Sequence, residues 1–88
     1  MATIPASDCP HQSQVNSEVL NPTSTVCAEC SLSAPTRVCM TCGHIGCCES
    51  TNGHGRAHAL DNHHPLIREL PNTERSFTWC YDCNAYIK

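Results

Sequence analysis

Residues 27–64 read CAECSLSAPTRVCMTCGHIGCCESTNGHGRAHALDNHH, a stretch in which a cysteine or a histidine recurs every few positions. Three C-x-x-C pairs occur in the chain: Cys27/Cys30, Cys39/Cys42 and Cys80/Cys83. The two thiolates of such a pair can reach a single ion, so each pair is half of a tetrahedral metal site. The pattern therefore predicts three half-sites, each of which needs two further ligands.

The chain has little else with which to stabilise a fold. It contains 88 residues with one Trp, one Phe and two Tyr, and nine Cys are counted among its hydrophobic residues. A chain of this size buries only about 60–65% of its unfolded surface, so metal ions or disulfides usually supplement so thin a core. We expect one domain over residues 1–88, with residues 1–8 flexible.

Metal binding is favoured over a disulfide framework. Disulfide-rich small domains are typical of secreted proteins, and the N-terminal sequence MATIP has neither the basic residues nor the apolar run of a signal peptide. Six His accompany the cysteines, and histidine has no role in a disulfide framework but is a common zinc ligand. We therefore predict zinc as the cofactor and an intracellular location, cytoplasmic or, in a eukaryote, nuclear.

Six further donors would complete the half-sites. They are Cys9, His11, Cys47, His54, His58 and His64. With the paired cysteines they make a ligand set sufficient for three four-coordinate zinc ions. Spacing alone does not say which donors join, although the i, i+4 relation of His54 and His58 suggests that these two share an ion.

Three candidate donors are left over. We interpret His44 and His63 as residues that do not bind metal. Cys48 is expected to be a free thiol, and the neighbouring carboxylate of Glu49 is expected to raise its pKa.

Fully closed sites argue against an enzyme. A catalytic zinc keeps one coordination position for water, and the H-E-x-x-H motif of zinc proteases needs a Glu where this chain has Gly55. The net charge of −3 and five scattered Lys and Arg offer nucleic acid no basic patch. We also expect no membrane contact and a monomer, because the chain has no long apolar run and no heptad pattern.

Secondary structure is predicted to be short. A helix is expected over Asn52–Asn62, with Ser50, Thr51 or Asn52 as its cap and Pro65 as its stop. Strands are expected around Thr36–Met40, Leu66–Leu70 and Ser76–Tyr81, where β-branched and aromatic residues gather. Most of residues 1–26 is expected to be irregular.

The order of the motifs resembles a known domain. It runs through Cys9-Pro10-His11, the C-x-x-C pairs at Cys27 and Cys39, Cys47, N-G-H at 52–54, His58, H-P-L at 64–66 and W-C-Y-x-C at 79–83. This order is similar to that of the ubiquitin-protease-type (UBP) zinc finger, which accompanies several deubiquitinating enzymes and a ubiquitin-binding histone deacetylase. The chain also resembles short stand-alone bacterial forms of this finger, which carry an acidic residue after a Cys-Cys pair.

The resemblance implies an α+β fold, with a short twisted antiparallel sheet, one or two helices and three zinc ions. It implies that His54 and His58 serve different ions. The implied ligand groups are Cys9, His11, Cys80 and Cys83; Cys27, Cys30, Cys47 and His54; and Cys39, Cys42, His58 and His64.

The resemblance also implies a candidate peptide pocket. In ubiquitin-binding members a pocket with aromatic walls and an Arg takes the free C-terminal Gly-Gly of ubiquitin, and Trp79, Tyr81 and Tyr86 stand at the positions of the wall. Two positions depart from that pattern: Glu49 falls where tail-binding members have Arg, and Arg37 falls where they have an aromatic residue.

Three functions therefore stay open at this stage. The first is a module that recognises a free protein C-terminus, of ubiquitin or of another protein, and it requires an open pocket. The second is a zinc-stabilised interaction scaffold that does not bind ubiquitin, and it requires a filled one. The third is redox or catalytic chemistry at Cys48, which requires a rapidly reacting thiol.

Overall fold

The backbone of residues 2–88 forms one six-stranded sheet with a single α-helix. A computed structural model describes residues 2–88, and Met1 lies outside the described residues. The strands are β1 (Ala2–Ile4), β2 (Thr36–Cys39), β3 (Ile45–Cys47), β4 (Leu66–Leu70), β5 (Thr78–Cys80) and β6 (Ala85–Ile87), and the helix is α1 (His54–Asp61). Their order across the sheet is β1-β6-β5-β4-β2-β3. The predicted α+β class is confirmed.

Neighbouring residues of a strand point to opposite faces of the sheet. Here the two faces pack against different parts of the chain. On one face Ile67 lies opposite both Cys39 and Trp79, and Trp79 lies opposite Tyr86, so that one row crosses four strands. Helix α1 packs near β2, β3 and β4. The opposite face carries a small apolar cluster of Cys9, Met40, Leu66 and Cys80, against which Ile4, Val15, Leu20 and Ile87 pack.

The helix begins later than predicted and is capped differently. Its N-cap is Gly53, which has a left-handed backbone (φ 68°) and provides no side-chain cap hydrogen bond. The expectation of a cap from Ser50, Thr51 or Asn52 is therefore wrong. Glycine adopts positive φ without steric cost, which allows the chain to turn sharply from the loop after β3 into the helix.

The N-terminal segment is more regular than predicted. Strand β1 pairs in parallel with β6, so the sheet is mixed rather than wholly antiparallel. Short 3₁₀ turns follow at Ala6–Asp8, Gln12–Gln14 and Ser17–Val19. Ala2–Ile4 fall within the segment that is expected to be flexible, and their backbone pairs with β6 in the sheet. Within residues 2–88, no helix has the length and apolar character needed to cross a bilayer.

Strand β3 and helix α1 touch through backbone. A Cβ atom added to Gly46 would collide with the backbone nitrogen and Cα of Gly55, and would lie 2.7 Å from the carbonyl carbon of His54. A Cβ on Gly55 would meet the Cys47 carbonyl oxygen at 3.2 Å, a much milder contact. The helix can therefore approach the sheet only because position 46 has no side chain.

Replacing Gly46 with Ala is expected to destabilise the protein strongly. Overpacking usually costs about 1–3 kcal/mol, and we expect at least the upper end because backbone atoms cannot rotate away. Chemical denaturation of zinc-loaded protein measures the loss, with Gly55→Ala as the milder matched change. Equal stabilities of the two variants would contradict the close packing of β3 and α1.

Candidate zinc sites and the adjoining pocket

The first Cys/His group joins the two ends of the chain. Cys9 and His11 come from the N-terminal segment, while Cys80 ends β5 and Cys83 follows it. The Nδ1 atom of His11 lies 3.8 Å from the Cys9 sulfur, 3.5 Å from the Cys80 sulfur and 3.9 Å from the Cys83 sulfur. Its Nε2 atom lies 2.9 Å from the carboxylate of Asp82. A carboxylate on the outer nitrogen orients a ligating imidazole.

The second group joins a loop, β3 and the start of α1. Cys27 and Cys30 form the C-x-x-C turn, or knuckle, of this group. Cys47 ends β3 and His54 begins the helix. The Nδ1 atom of His54 lies 3.5 Å from the sulfurs of both Cys27 and Cys47, and the Cys30 and Cys47 sulfurs are 3.8 Å apart. Four donors from three separate segments thus surround one point.

The third group joins β2 to the helix and to the segment that precedes β4. It consists of Cys39, Cys42, His58 and His64, and the Cys42 sulfur lies 3.2 Å from Nε2 of His58. The outer Nδ1 of His58 faces the Asn62 side chain at 3.3 Å. The buried Nδ1 of His64 finds no hydrogen-bond partner among residues 2–88. A bound cation is one partner that would satisfy such a nitrogen.

The spacings between donors fit a tetrahedral zinc. Zn–S bonds of about 2.3 Å and Zn–N bonds of about 2.0–2.1 Å place two sulfurs about 3.8 Å apart and a sulfur and a nitrogen about 3.5 Å apart. The donor atoms of each group lie within 4.8 Å of one another. All nine cysteines are free thiols, whereas a disulfide would need sulfurs about 2.05 Å apart. The donor sets therefore suit zinc and are not arranged as disulfides.

The histidines of the helix belong to different groups. His54 falls in the second group and His58 in the third. The suggestion from spacing that they share one ion is therefore wrong, and the grouping that the resemblance implies is the one that the structure brings together. The helix consequently connects two metal groups instead of closing one.

His44 and His63 lie outside the three groups, but His44 touches one of them. Its ring stacks on that of His58, with centroids 4.0 Å apart and planes tilted by only 5°, and its Nε2 lies 3.3 Å from the Glu29 carboxylate. His44 thus supports the position of a candidate ligand. The C-G-H sequence at 42–44 turns the chain so that His44 lies beside the candidate ligand His58.

Cys48 is the one cysteine outside the groups, and its predicted pKa shift is wrong in sign. Burial raises the pKa of this thiol and Glu49 adds to that effect, but hydrogen bonds from Ser50 and the charge of Arg37 outweigh both. The pKa of Cys48 is therefore lowered. The Arg37 Nη2 donates to the Cys48 sulfur at 3.3 Å, a contact between β2 and the loop after β3 that the sequence does not reveal.

An open pocket adjoins the second and third groups. It has a volume of about 540 Å³ and lies between the sheet, the loop after β3 and helix α1. All five residues predicted for a peptide site line it: Arg37, Glu49, Trp79, Tyr81 and Tyr86. Phe77, Arg56 and Cys48 line it as well, although their positions in the sequence do not predict this.

The aromatic wall of this pocket is built of rings packed edge to face. Trp79 is nearly buried, and its ring centroid lies 4.9 Å from that of Tyr86 and 6.3 Å from that of Tyr81. Phe77 packs on Tyr86 with centroids 5.4 Å apart. Burial and the nearby Glu49 carboxylate raise the pKa of the Tyr81 phenol. The rings therefore contribute to the core and also line the pocket.

The charges of the pocket are not paired with one another. Arg37 lies 4.8 Å above the Phe77 ring, and its Nη1 donates to the Thr36 carbonyl at 3.0 Å. The two ion pairs found among residues 2–88 both involve a histidine, and neither includes Arg37, Arg56 or Glu49. The pocket thus presents two guanidinium groups and one carboxylate to a ligand.

A small α+β fold with clustered Cys and His donors defines a zinc finger. The family described as "Zn-finger in ubiquitin-hydrolases and other protein" matches residues 27–88, which is more than half of the chain. The chain therefore belongs to this family of UBP-type zinc fingers.

Known relatives are much longer proteins. The chain is 35% identical to NAD-dependent deacetylase sir2A of Dictyostelium discoideum over 72% of this chain, and 36% identical to ubiquitin carboxyl-terminal hydrolase 14 of Saccharomyces cerevisiae over 89% of it. It spans only 12% and 11% of these relatives. The solution structure of protein RPA1320 from Rhodopseudomonas palustris is similar, with 30% identity, a TM-score of 0.71, and coverage of 89% of this chain and 78% of that one.

The metal groups predict opposite results for two cysteine changes of identical chemistry. Cys39→Ser removes a donor from the third group, so we expect the purified variant to contain at least one zinc equivalent less than the unchanged protein. Cys48→Ser leaves every group complete and is expected to keep the full zinc content. Metal released by denaturation, measured with a chromogenic chelator, tests both. Loss of zinc from the Cys48 variant would contradict the assignment of donors.

Proposed function

We propose that the chain is a non-catalytic zinc finger that recognises the free C-terminal tail of a protein. Three zinc ions are held by the twelve Cys and His residues of the three groups, and they serve the fold. The pocket beside the second and third groups is the recognition site. An open cavity in which all five expected residues meet is the observation that carries this proposal.

A structural role for zinc follows from the number of protein donors. Each group supplies four ligand atoms, which completes a tetrahedral shell and leaves no position for a reacting water. Structural zinc contributes an apparent binding free energy of about 10–16 kcal/mol that is coupled to folding, which is ample for so thin a core. This supports a binding module rather than an enzyme.

The position of Arg37 supports recognition of a carboxylate. Its side chain lines the cavity, is held by Thr36 and Cys48, and has further N–H groups available. Arg56 adds a second guanidinium group from the helix. A guanidinium pairs with a carboxylate through charge-assisted hydrogen bonds. Arg37 can therefore replace the Arg that tail-binding members carry at the position of Glu49.

Ubiquitin is a candidate donor of the tail, because relatives of this chain are named as ubiquitin carboxyl-terminal hydrolases. The second candidate function, a scaffold without a tail pocket, needs that pocket to be filled by side chains. The cavity volume of about 540 Å³ favours a module that recognises a free C-terminus over a scaffold whose pocket is filled.

We expect the module to distinguish free acids from amides. Fluorescence anisotropy measures the two affinities directly. The labelled peptides share one uncharged sequence and are made both as the free acid and as the C-terminal amide. The acid should bind at least about tenfold more tightly, the value of one charge-assisted hydrogen bond of about 1.5 kcal/mol. Arg37→Gln should remove most of the difference, whereas Arg75→Gln, which alters an exposed arginine outside the pocket, should not.

Two outcomes would overturn the proposal. Equal affinities for acid and amide would show that the pocket does not recognise the terminal carboxylate. Absence of binding to any peptide would favour the scaffold without a tail pocket. A parallel NMR titration with ubiquitin and with ubiquitin lacking its last two glycines asks whether ubiquitin provides the tail. Shifts at Trp79, Tyr81 and Tyr86 with intact ubiquitin alone would identify ubiquitin as a source of the tail.

A further inference from the structure

Glu49 has no role in the recognition of a carboxylate, and it faces the same cavity as the two arginines. We propose that the pocket selects a tail whose last residue is basic, lysine or arginine, with Glu49 and the aromatic wall holding the side-chain cation while Arg37 holds the terminal carboxylate. This inference rests on the proposed function and specifies the ligand of the same pocket.

The size of the pocket permits a large terminal residue. A slot for two glycines excludes side chains, whereas a cavity of about 540 Å³ lies in the ordinary range for sites that enclose a small ligand. The lining includes the apolar side chains of Leu60 and Ile67 as well as the aromatic rings. The four-carbon stem of a lysine would pack against such a surface and leave its ammonium group at a polar rim.

The chemistry of one side of the pocket suits a cation. Glu49 is an exposed residue at this rim, without an ion-pair partner among residues 2–88, and its carboxylate is close enough to Tyr81 to affect the pKa of that phenol. Aromatic faces attract cations, and Arg37 already lies over Phe77 in this way. Tyr81 and Tyr86 are only partly buried and offer further ring surface.

The opposite charges of the pocket also disfavour other tails. A terminal Glu would place its side-chain carboxylate near Glu49, and like charges repel. An apolar terminal residue would cover Glu49 without providing a partner, which costs part of the hydration of that carboxylate. A basic terminal residue pairs Arg37 with the terminal carboxylate and Glu49 with the side-chain cation.

The test compares peptides that differ only in their last residue. Free-acid peptides ending in Lys, norleucine or Glu share one neutral body, and norleucine keeps the lysine stem without the charge. Because Glu49 is exposed, we expect a modest preference of about fivefold for Lys over norleucine, and weaker binding still for Glu. Glu49→Gln should bring the Lys and norleucine affinities together. Glu74→Gln, an exposed acid outside the pocket, should leave the preference unchanged.

The outcomes separate this inference from the proposed function. If free acids bind better than amides but peptides ending in Lys and in norleucine bind equally, this inference is overturned and the proposed function is supported. If no free-acid peptide binds better than its amide, the proposed function is overturned and this inference is overturned with it. A preference for Lys that survives Glu49→Gln would overturn the role of Glu49. Competition by free L-lysine at peptide-like concentrations would identify an amino acid, not a tail, as the ligand and would also overturn the inference.

Discussion

The convergence of four Cys and His donors on one point, three times over, is the constraint on which the rest of this structure depends. Each group gathers side chains from segments that are far apart in the chain, as when His11 meets Cys80 and Cys83. The apolar cluster beneath the sheet is small, and two of its four buried members, Cys9 and Cys80, are themselves candidate ligands. The candidate metal ligands are therefore also part of the apolar core.

The same constraint positions the elements that line the candidate pocket. Helix α1 contributes His54 to one group and His58 to another, so it is fixed to both the end of β3 and the knuckle after β2. The loop that carries Cys48 and Glu49 runs between two of these fixed points, Cys47 and His54. The pocket consequently has a wall of packed rings on the sheet and a charged rim on a tethered loop, an arrangement that is formed before any ligand arrives.

Much of this could be predicted from the sequence, and the limits have physical causes. The twelve donors follow from residue type and C-x-x-C spacing, but their grouping depends on the path of the chain, and spacing wrongly joined His54 to His58. The strands β1, β3 and β6 have three residues each and depend on their partners in the sheet rather than on local propensity. The pKa of Cys48 was misjudged because the hydrogen bonds from Ser50 and the charge of Arg37, which comes from β2, outweigh the effect of Glu49.

The most direct test of the central claim is an amide NMR spectrum of the zinc-loaded protein before and after removal of the metal by a strong chelator. The account predicts that dispersed amide signals collapse to the narrow range of an unfolded chain, and that they return when zinc is restored, because the metal free energy is folding free energy. A chelated, metal-free sample that keeps its dispersed spectrum would contradict the claim that these Cys/His groups hold the fold together.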